Sequence, residues 1–168
     1  MPDEKTLFSK FLTREIAENA MIMAMDAADA TRLCGKNLHI VMLGPRMKST
    51  PEGYPNYLIE PYIVAERSFG DKKDWAYDFA DIAQCKALQL WHSRADGGTD
   101  ILPHLLFPGD APLWGGVKRS GIVVACSGFR PWFDRMVAGI VADICIARAY
   151  DAWMNSPEKA DDDCCFLK

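Results

Sequence analysis

The segment GIVVACSGFRPWF, residues 121–133, joins a buried strand to a long helix. Gly121–Cys126 is an apolar run, too short for a helix and typical of a buried strand. A Ser-Gly pair ends the strand. Pro131 then suits the first turn of a helix, because the N–H that proline lacks has no partner there. We predict that this helix runs to about Trp153.

Two further helices are predicted from apolar residues that recur at spacings of three and four. The first spans Leu12–Leu33, with Thr13 as its N-cap and Gly35 just past its end. The second spans Asp74–His92, and one of the positions in its periodic pattern is occupied by Lys86.

Two more strands are predicted upstream of the quoted segment. Residues 37–43 form a short apolar run, and residues 57–68 are rich in strand-forming side chains. Pro61 interrupts the second run, which favours an edge strand or a bulge. Residues 48–56 are predicted as a loop. Residues 101–107 are apolar but short, and fit either a strand or a packed loop.

The order of these elements predicts an α+β fold. Strands joined by short connections, with helices before, between and after them, indicate a largely antiparallel sheet flanked by helices. No internal repeat or linker divides the chain. We therefore predict a single domain over residues 1–154, followed by a flexible tail over residues 155–168.

Composition excludes several classes of partner. The chain has 168 residues, 49% of them hydrophobic, and a formal net charge of −4. An acidic protein lacks the basic surface that nucleic acids and anionic membranes require, so neither is expected as a partner. The sequence contains no stretch of 18 uncharged apolar residues, so no membrane-spanning helix is predicted. The polar N-terminus does not resemble a secretory signal, which favours a cytoplasmic location.

The six cysteines predict no metal or redox motif. No C-x-x-C pair is present, so a structural zinc site or a thioredoxin-like site has no support. Four cysteines lie singly in apolar segments and are expected to pack as small hydrophobic side chains. Cys164 and Cys165 stand in the tail, and the sequence leaves their role open.

Several motifs in the second half of the chain occur in a characteristic order. AQCKA (83–87) is followed by PGDAPL (108–113), then by GGV (115–117) and GIVVACSG (121–128), and Asp134 stands early in the last helix. In this order the chain resembles the GlcG/HbpS-like family of haem-degrading and haem-binding proteins. The resemblance implies a profilin-like fold, assembly into homo-oligomers and, in some members, haem binding.

The loop over residues 108–116 is the strongest candidate for a binding site. Its glycines would let backbone N–H groups approach a ligand closely, and an aromatic side chain would provide a wall. The alternative is a tight connection between two elements. The candidate ligand-binding residues here are Pro108, Gly109, Trp114, Gly115 and Gly116.

A second candidate lies at the start of the last helix. Ser127 and Gly128 precede a helix N-terminus, where unpaired N–H groups and the helix dipole favour an anion. Arg130 would add a bidentate contact to a carboxylate. The alternative is a solvated arginine beside a core tryptophan.

His92 and His104 flank the loop and are the candidate metal ligands. Haem iron takes an axial donor, often histidine, in an apolar slot. Each side chain is alternatively an ordinary surface histidine. Arg94 and Asp96 beside His92 would form an acid/base cluster, or simply a polar turn.

Three functions remain open at this point. The first is a small-ligand-binding protein with haem as the first candidate. The second is a cofactor-independent enzyme, of isomerase or lyase type, acting on a small carboxylated metabolite. There Arg130 would bind the carboxylate, and His92 or His104 would move a proton. The third is an accessory subunit. Small-residue helix faces and five tryptophans favour a homo-oligomer in each case.

Overall fold

A computed structural model describes residues 5–49, 58–95 and 102–160 of the chain. The strands are β1 (Lys5–Phe8), β2 (Leu38–Ser49), β3 (Leu58–Phe69), β4 (Gly116–Arg119) and β5 (Ile122–Ser127). The helices are α1 (Arg14–Thr31), α2 (Phe79–Trp91) and α3 (Pro131–Met154). Short 3₁₀ turns cover Lys72–Asp74, Pro103–Leu105 and Pro157–Ala160.

The strands form one open antiparallel sheet with β2 at its centre. β3 pairs with β2 along its whole length, on one side. β5 pairs with the first half of β2 on the other side, where β1 pairs with the second half. β4 pairs with β5. The predicted α+β class with an antiparallel sheet is confirmed. In the described part of the chain no strand covers the outer edge of β3, as Pro61 predicts.

Successive side chains along β2 and β5 point to opposite faces of the sheet, so each strand contributes to two separate parts of the hydrophobic core. One face is covered by α1 and α3, and the other by α2. Side chains toward α1 and α3 are Leu38, Ile40, Met42, Ile122, Val124 and Cys126. Side chains in the cluster under α2 are Val41, Leu43, Val123 and Ala125. Both faces of these strands are buried, which explains why the sequence reads as continuous apolar runs.

The N-termini of the helices are set by capping residues and by proline. Thr13 caps α1 as predicted, since its Oγ1 accepts a hydrogen bond from the N–H of Ile16. Pro131 occupies the first turn of α3. The predicted start of the second helix is wrong: Asp78 is the N-cap of α2, accepting from Asp81 N–H, and Trp75 is extended. α1 also ends before Gly35, with Arg32 in the left-handed region at φ 59°.

Other boundaries differ from the sequence predictions as well. Strand β2 continues to Ser49, so residues 48 and 49 are strand and not loop; the rest of the predicted loop, residues 50–56, lies outside the described residues. Pro103–Leu105 is a 3₁₀ turn, which agrees with the packed-loop alternative for the segment before the 108–116 loop. Residues 161–168, including Cys164 and Cys165, also lie outside the described residues.

Within the described residues, no helix is both long and apolar enough to cross a membrane. Cys126 and Cys145 are buried in the core, while Cys34 and Cys85 are half-buried. Burial raises the pKa of the Cys145 thiol to about 11, so this thiol stays protonated at neutral pH. These two core cysteines pack as small hydrophobic side chains, as expected.

His39 on β2 is buried beneath Trp75 with few polar partners. Its Nδ1 lies 2.9 Å from Ser68 Oγ, and its Nε2 lies 3.5 Å from Glu66 Oε2 without a well-directed hydrogen bond. Burial lowers the pKa of His39, and the Glu66 carboxylate opposes this only partly. The imidazole is therefore neutral in the fold at neutral pH.

We expect the contribution of His39 to stability to fall as pH decreases through about 6.5, because the unfolded chain then binds a proton at His39 that the folded chain binds less readily. Asp134, whose pKa is raised to about 6 in the fold, acts in the opposite direction, so the effect of His39 is the difference between wild type and His39→Gln. One such proton gives a slope of at most about 1.4 kcal/mol per pH unit. Urea unfolding of the wild type and of His39→Gln between pH 8 and 5 measures how the free energy of unfolding depends on pH. The exposed His92→Gln is the control. A wild-type slope unchanged in His39→Gln would contradict the assignment.

Candidate functional site

A buried ion pair joins α2 to α3 where β5 ends and β4 begins. Lys86 Nζ lies 3.1 Å from Asp134 Oδ2 and donates to the Cys126 carbonyl at 2.8 Å. The Lys86 side chain is 4% exposed and the Asp134 side chain 2%. Charged groups are rarely buried this far unless they are paired and hydrogen-bonded, as these are.

Asp134 also closes the turn that leads into α3. Its Oδ1 accepts a hydrogen bond from Phe129 N–H at 3.0 Å, and it lies in the first turn of the helix, where the dipole favours a negative charge. Burial raises the pKa of Asp134 to about 6, against the opposing effects of Lys86 and of the Phe129 N–H. The carboxyl group is therefore about half protonated near pH 6.

Gly115 lets the loop before β4 lie directly on this pair, and Gly116, the first residue of β4, lies against α2. Gly115 has φ +142°, and a Cβ there would lie 2.7 Å from Asp134 Cβ and 3.1 Å from Lys86 Nζ. A Cβ on Gly116 would lie 2.6 Å from Leu90 Cδ1. The backbone at Gly115 approaches the ion pair closely, and the predicted approach of the glycine backbone to a ligand stays a prediction.

A small cavity separates the loop from α2. Its volume is about 20 Å³, which is room for a single water molecule. An ammonium group has three N–H donors, and two on Lys86 are used by Cys126 and Asp134, so one remains. The lining residues are Lys86, Gln89, Leu90, Arg94, Ala95, Ala111, Leu113, Trp114, Gly115 and Gly116.

Two contacts from α2 and its C-terminal turn hold the loop closed over the cavity. The Gln89 amide pairs with the backbone of Ala111, accepting from its N–H at 2.9 Å and donating to its C=O at 3.2 Å. Arg94 forms an ion pair with Asp110 and stacks on Phe107. The hydrogen bond from Arg94 holds the pKa of Asp110 below its ordinary value. Opening the loop would break both contacts.

Gln89→Leu is expected to loosen this loop, because it leaves the N–H and C=O of Ala111 without their partners. An unsatisfied buried polar group costs about 1–3 kcal/mol. Hydrogen exchange at the Ala111 amide measures the effect. The control is Gln84→Leu on the same helix, which removes only an exposed hydrogen bond to Glu66. Equal exchange rates in the two variants would contradict the role given to Gln89.

The structure divides the predicted loop residues into two groups. Trp114, Gly115 and Gly116 line the cavity. Pro108 and Gly109 lie on the exposed outer turn, where the Gly109 carbonyl accepts a weak hydrogen bond from the Cys85 thiol.

The second candidate site lies apart from this cavity. Ser127 is buried at the end of β5. Gly128 and Arg130 line a depression of about 340 Å³ with Leu33, Cys34, Gly35, Phe129 and Phe133. Arg130 is exposed and stacks on Trp132. The Asp134 carboxylate lies in the first turn of this helix and accepts the Phe129 N–H.

The two predicted metal ligands are exposed. His92 is the C-cap of α2, and His104 lies in the 3₁₀ turn before the loop. Neither lines the cavity at Lys86 or the depression beside Arg130. The described parts of the chain contain no cluster of three or more histidine, cysteine, aspartate or glutamate side chains placed to hold a metal ion. Asp96 lies outside the described residues.

Sequence reasoning did not select the residues at the centre of this site, which are Lys86, Gln89 and Asp134. The available signal was a lysine in the periodic pattern of the second helix, where a solvated side chain is not expected. Comparison of the chain with protein-family models, with curated proteins and with solved structures finds no match.

Proposed function

We propose that this chain binds a small ligand through a carboxylate, in the cavity between α2 and the glycine loop. The observation that carries the proposal is the unused N–H donor of Lys86, a buried cation at the cavity wall. A hydrogen bond from an ammonium to a carboxylate is among the stronger ones in proteins, and burial strengthens it further. The present volume admits only a water-sized group, so ligand entry requires the loop to move.

Protonation of Asp134 would control this affinity. While Asp134 is ionised, the pair with Lys86 is neutral overall and offers little attraction to an anion. Once Asp134 takes up a proton, with its pKa of about 6, the site carries a net positive charge. Binding of a carboxylate therefore strengthens as pH falls from 8 toward 6, and Asp134→Asn removes that dependence.

Haem is the first larger ligand to test. Its two propionates are carboxylates of the kind proposed for Lys86, and the resemblance to the GlcG/HbpS-like family supports it independently. The geometry offers no enclosed slot around His92 or His104 in the described residues, so the proposal for haem rests on its propionates and on the resemblance.

Absorbance titration of the apo-protein in the Soret region tests haem directly. A saturable, stoichiometric shift that His92→Ala or His104→Ala weakens would support haem and its axial ligand together. A saturable shift that both variants retain would support haem held without either histidine. A linear, unsaturated absorbance increase would contradict haem and leave the carboxylate proposal to its own test.

The Lys86–Asp134 pair favours an enzyme as the second candidate function. A carboxyl group with a pKa near 6, 3.1 Å from an ammonium group, can exchange a proton with a bound substrate at neutral pH. Solvent deuterium exchange into small carboxylated metabolites, followed by NMR, would detect an isomerase- or lyase-type step. The candidate requires exchange that Asp134→Asn abolishes. Arg130, which lines a separate depression, is not expected to affect it.

The oligomeric state and the cellular location of the protein are also proposed. We propose a homo-oligomer, as the resemblance to the GlcG/HbpS-like family implies, and a cytoplasmic location. The small-residue faces of α1 and α3 are buried within the chain itself and do not bear on assembly. Sedimentation as a monomer at micromolar concentration would contradict the oligomer.

A further inference from the structure

A second cavity on the outer side of α3 combines arginines with an exposed tryptophan. Its volume is about 350 Å³, and it shares no lining residue with the cavity at Lys86. Its lining residues are Arg119, Trp132, Arg135, Met136, Gly139, Ile140 and Asp143. Those on α3 recur at spacings of three and four, so they form one stripe along the helix, and Arg119 approaches the stripe from β4.

The guanidinium groups at this cavity have unused donors. Arg119 Nη1 donates to the Gly139 carbonyl at 3.4 Å and lies 2.5 Å from Asp143 Oδ2, which leaves Nη2 and Nε. Arg119 can lie against the helix because residue 139 is glycine: a Cβ there would be 3.3 Å from Nη2. Arg135 is half-buried and forms no ion pair within the described ranges.

The charge at this cavity differs from that of the whole chain. Two arginines face one carboxylate, Asp143, whose side chain is 66% exposed, so the cavity is net positive in a protein of net charge −4. Arg130, outside the cavity lining, adds a third guanidinium over the Trp132 ring, 5.6 Å from its centroid. Trp132 is 51% exposed, which leaves ring surface for stacking.

We propose that this cavity binds a planar aromatic molecule that carries a phosphate, of about the size of a mononucleotide. The ring stacks on Trp132, and the phosphate accepts hydrogen bonds from Arg119 and Arg135, whose planar forks match phosphate oxygens. Asp143 opposes the phosphate, and its exposed side chain can turn toward solvent. This site is separate from the proposed carboxylate site, so either can fail without the other.

Isothermal titration calorimetry in a phosphate-free buffer tests the proposal with AMP, adenosine and inorganic phosphate. AMP should bind saturably, and adenosine and phosphate should each bind at least about tenfold more weakly, because each lacks one half of the contact. Trp132→Ala and Arg135→Ala should each weaken AMP binding by about tenfold. Arg148→Ala, an exposed arginine on the same helix outside the cavity, should leave AMP binding unchanged.

Three results would overturn the proposal. Absence of saturable AMP binding is the first. Equal weakening by Arg148→Ala is the second, since it would indicate a general charge effect. The third is self-association of the protein that Trp132→Ala abolishes while AMP has no effect, which would assign this face to a second copy of the chain.

Discussion

Replacing Lys86 by methionine is expected to lower the free energy of unfolding by about 3–5 kcal/mol at pH 8, because it leaves the buried Asp134 carboxylate without its cation. Asp134 is 1% exposed and lies in the first turn of α3. The loss should shrink as pH falls, since the lone carboxyl group can then bind a proton and become neutral. Urea unfolding at pH 8 and pH 5.5 measures both effects.

The double variant Lys86→Met/Asp134→Asn separates pairing from packing. Both charges are then gone, while the asparagine oxygen can still accept from Phe129 N–H, so much of the lost stability should return. The control is Glu60→Gln, which breaks partly exposed pairs with Arg46 and Lys48 and should cost less than about 1 kcal/mol. A double variant as unstable as the sum of the single variants would show that the two charges do not interact.

Gly115→Ala is expected to have the second large effect, about 3–5 kcal/mol of stability, from backbone strain and overpacking together. The new Cβ would lie 2.7 Å from Asp134 Cβ, at a φ of +142° that side chains rarely adopt. The loop would have to lift from the ion pair. Thermal unfolding gives the stability, and hydrogen exchange at Gly116 reports the loop.

Gly109→Ala is the matched control in the same loop. Gly109 also has a positive φ, +88°, but a Cβ there would meet no atom within 4 Å. Only the backbone cost of about 1–2 kcal/mol is expected. If the two alanine variants lost equal stability, contact with the ion pair would not be the reason for glycine at position 115.

The elements that could be predicted from the sequence are those determined by residues within or next to the element itself. β5 and α3 follow from an apolar run, a Ser-Gly stop and a proline, all within thirteen residues. Strands β1 and β4 have four residues each and mixed composition, and they are extended because β2 and β5 offer them hydrogen-bonding partners. A segment of four residues is too short for its side-chain pattern to predict that it pairs with a neighbouring strand.

The start of α2 shows how packing moves a boundary. The apolar pattern begins at Trp75, but that side chain packs edge-on against His39 while the chain is still extended. The helix begins only where Asp78 can cap it. Side-chain spacing alone does not distinguish a residue on the helix from one just before it.

The candidate site was predictable only in part for the same reason. Glycines in the loop indicated a close approach, and three of the five selected loop residues do line the cavity. Lys86 and Asp134 are 48 residues apart in sequence, and nothing local marks them as partners. The exposure of His92 and His104 likewise depends on where the turns after α2 lie, which the sequence pattern does not report.

The most direct test of the carboxylate site is an NMR titration of the ¹⁵N-labelled protein with sodium propionate at pH 6 and pH 8, with sodium chloride as the ionic-strength control. Saturable shifts of the Ala111, Gly115 and Gly116 amides, at lower propionate concentration at pH 6 than at pH 8, are the predicted result. Shifts that stay linear in propionate, or that match those produced by sodium chloride, would contradict a carboxylate site at Lys86.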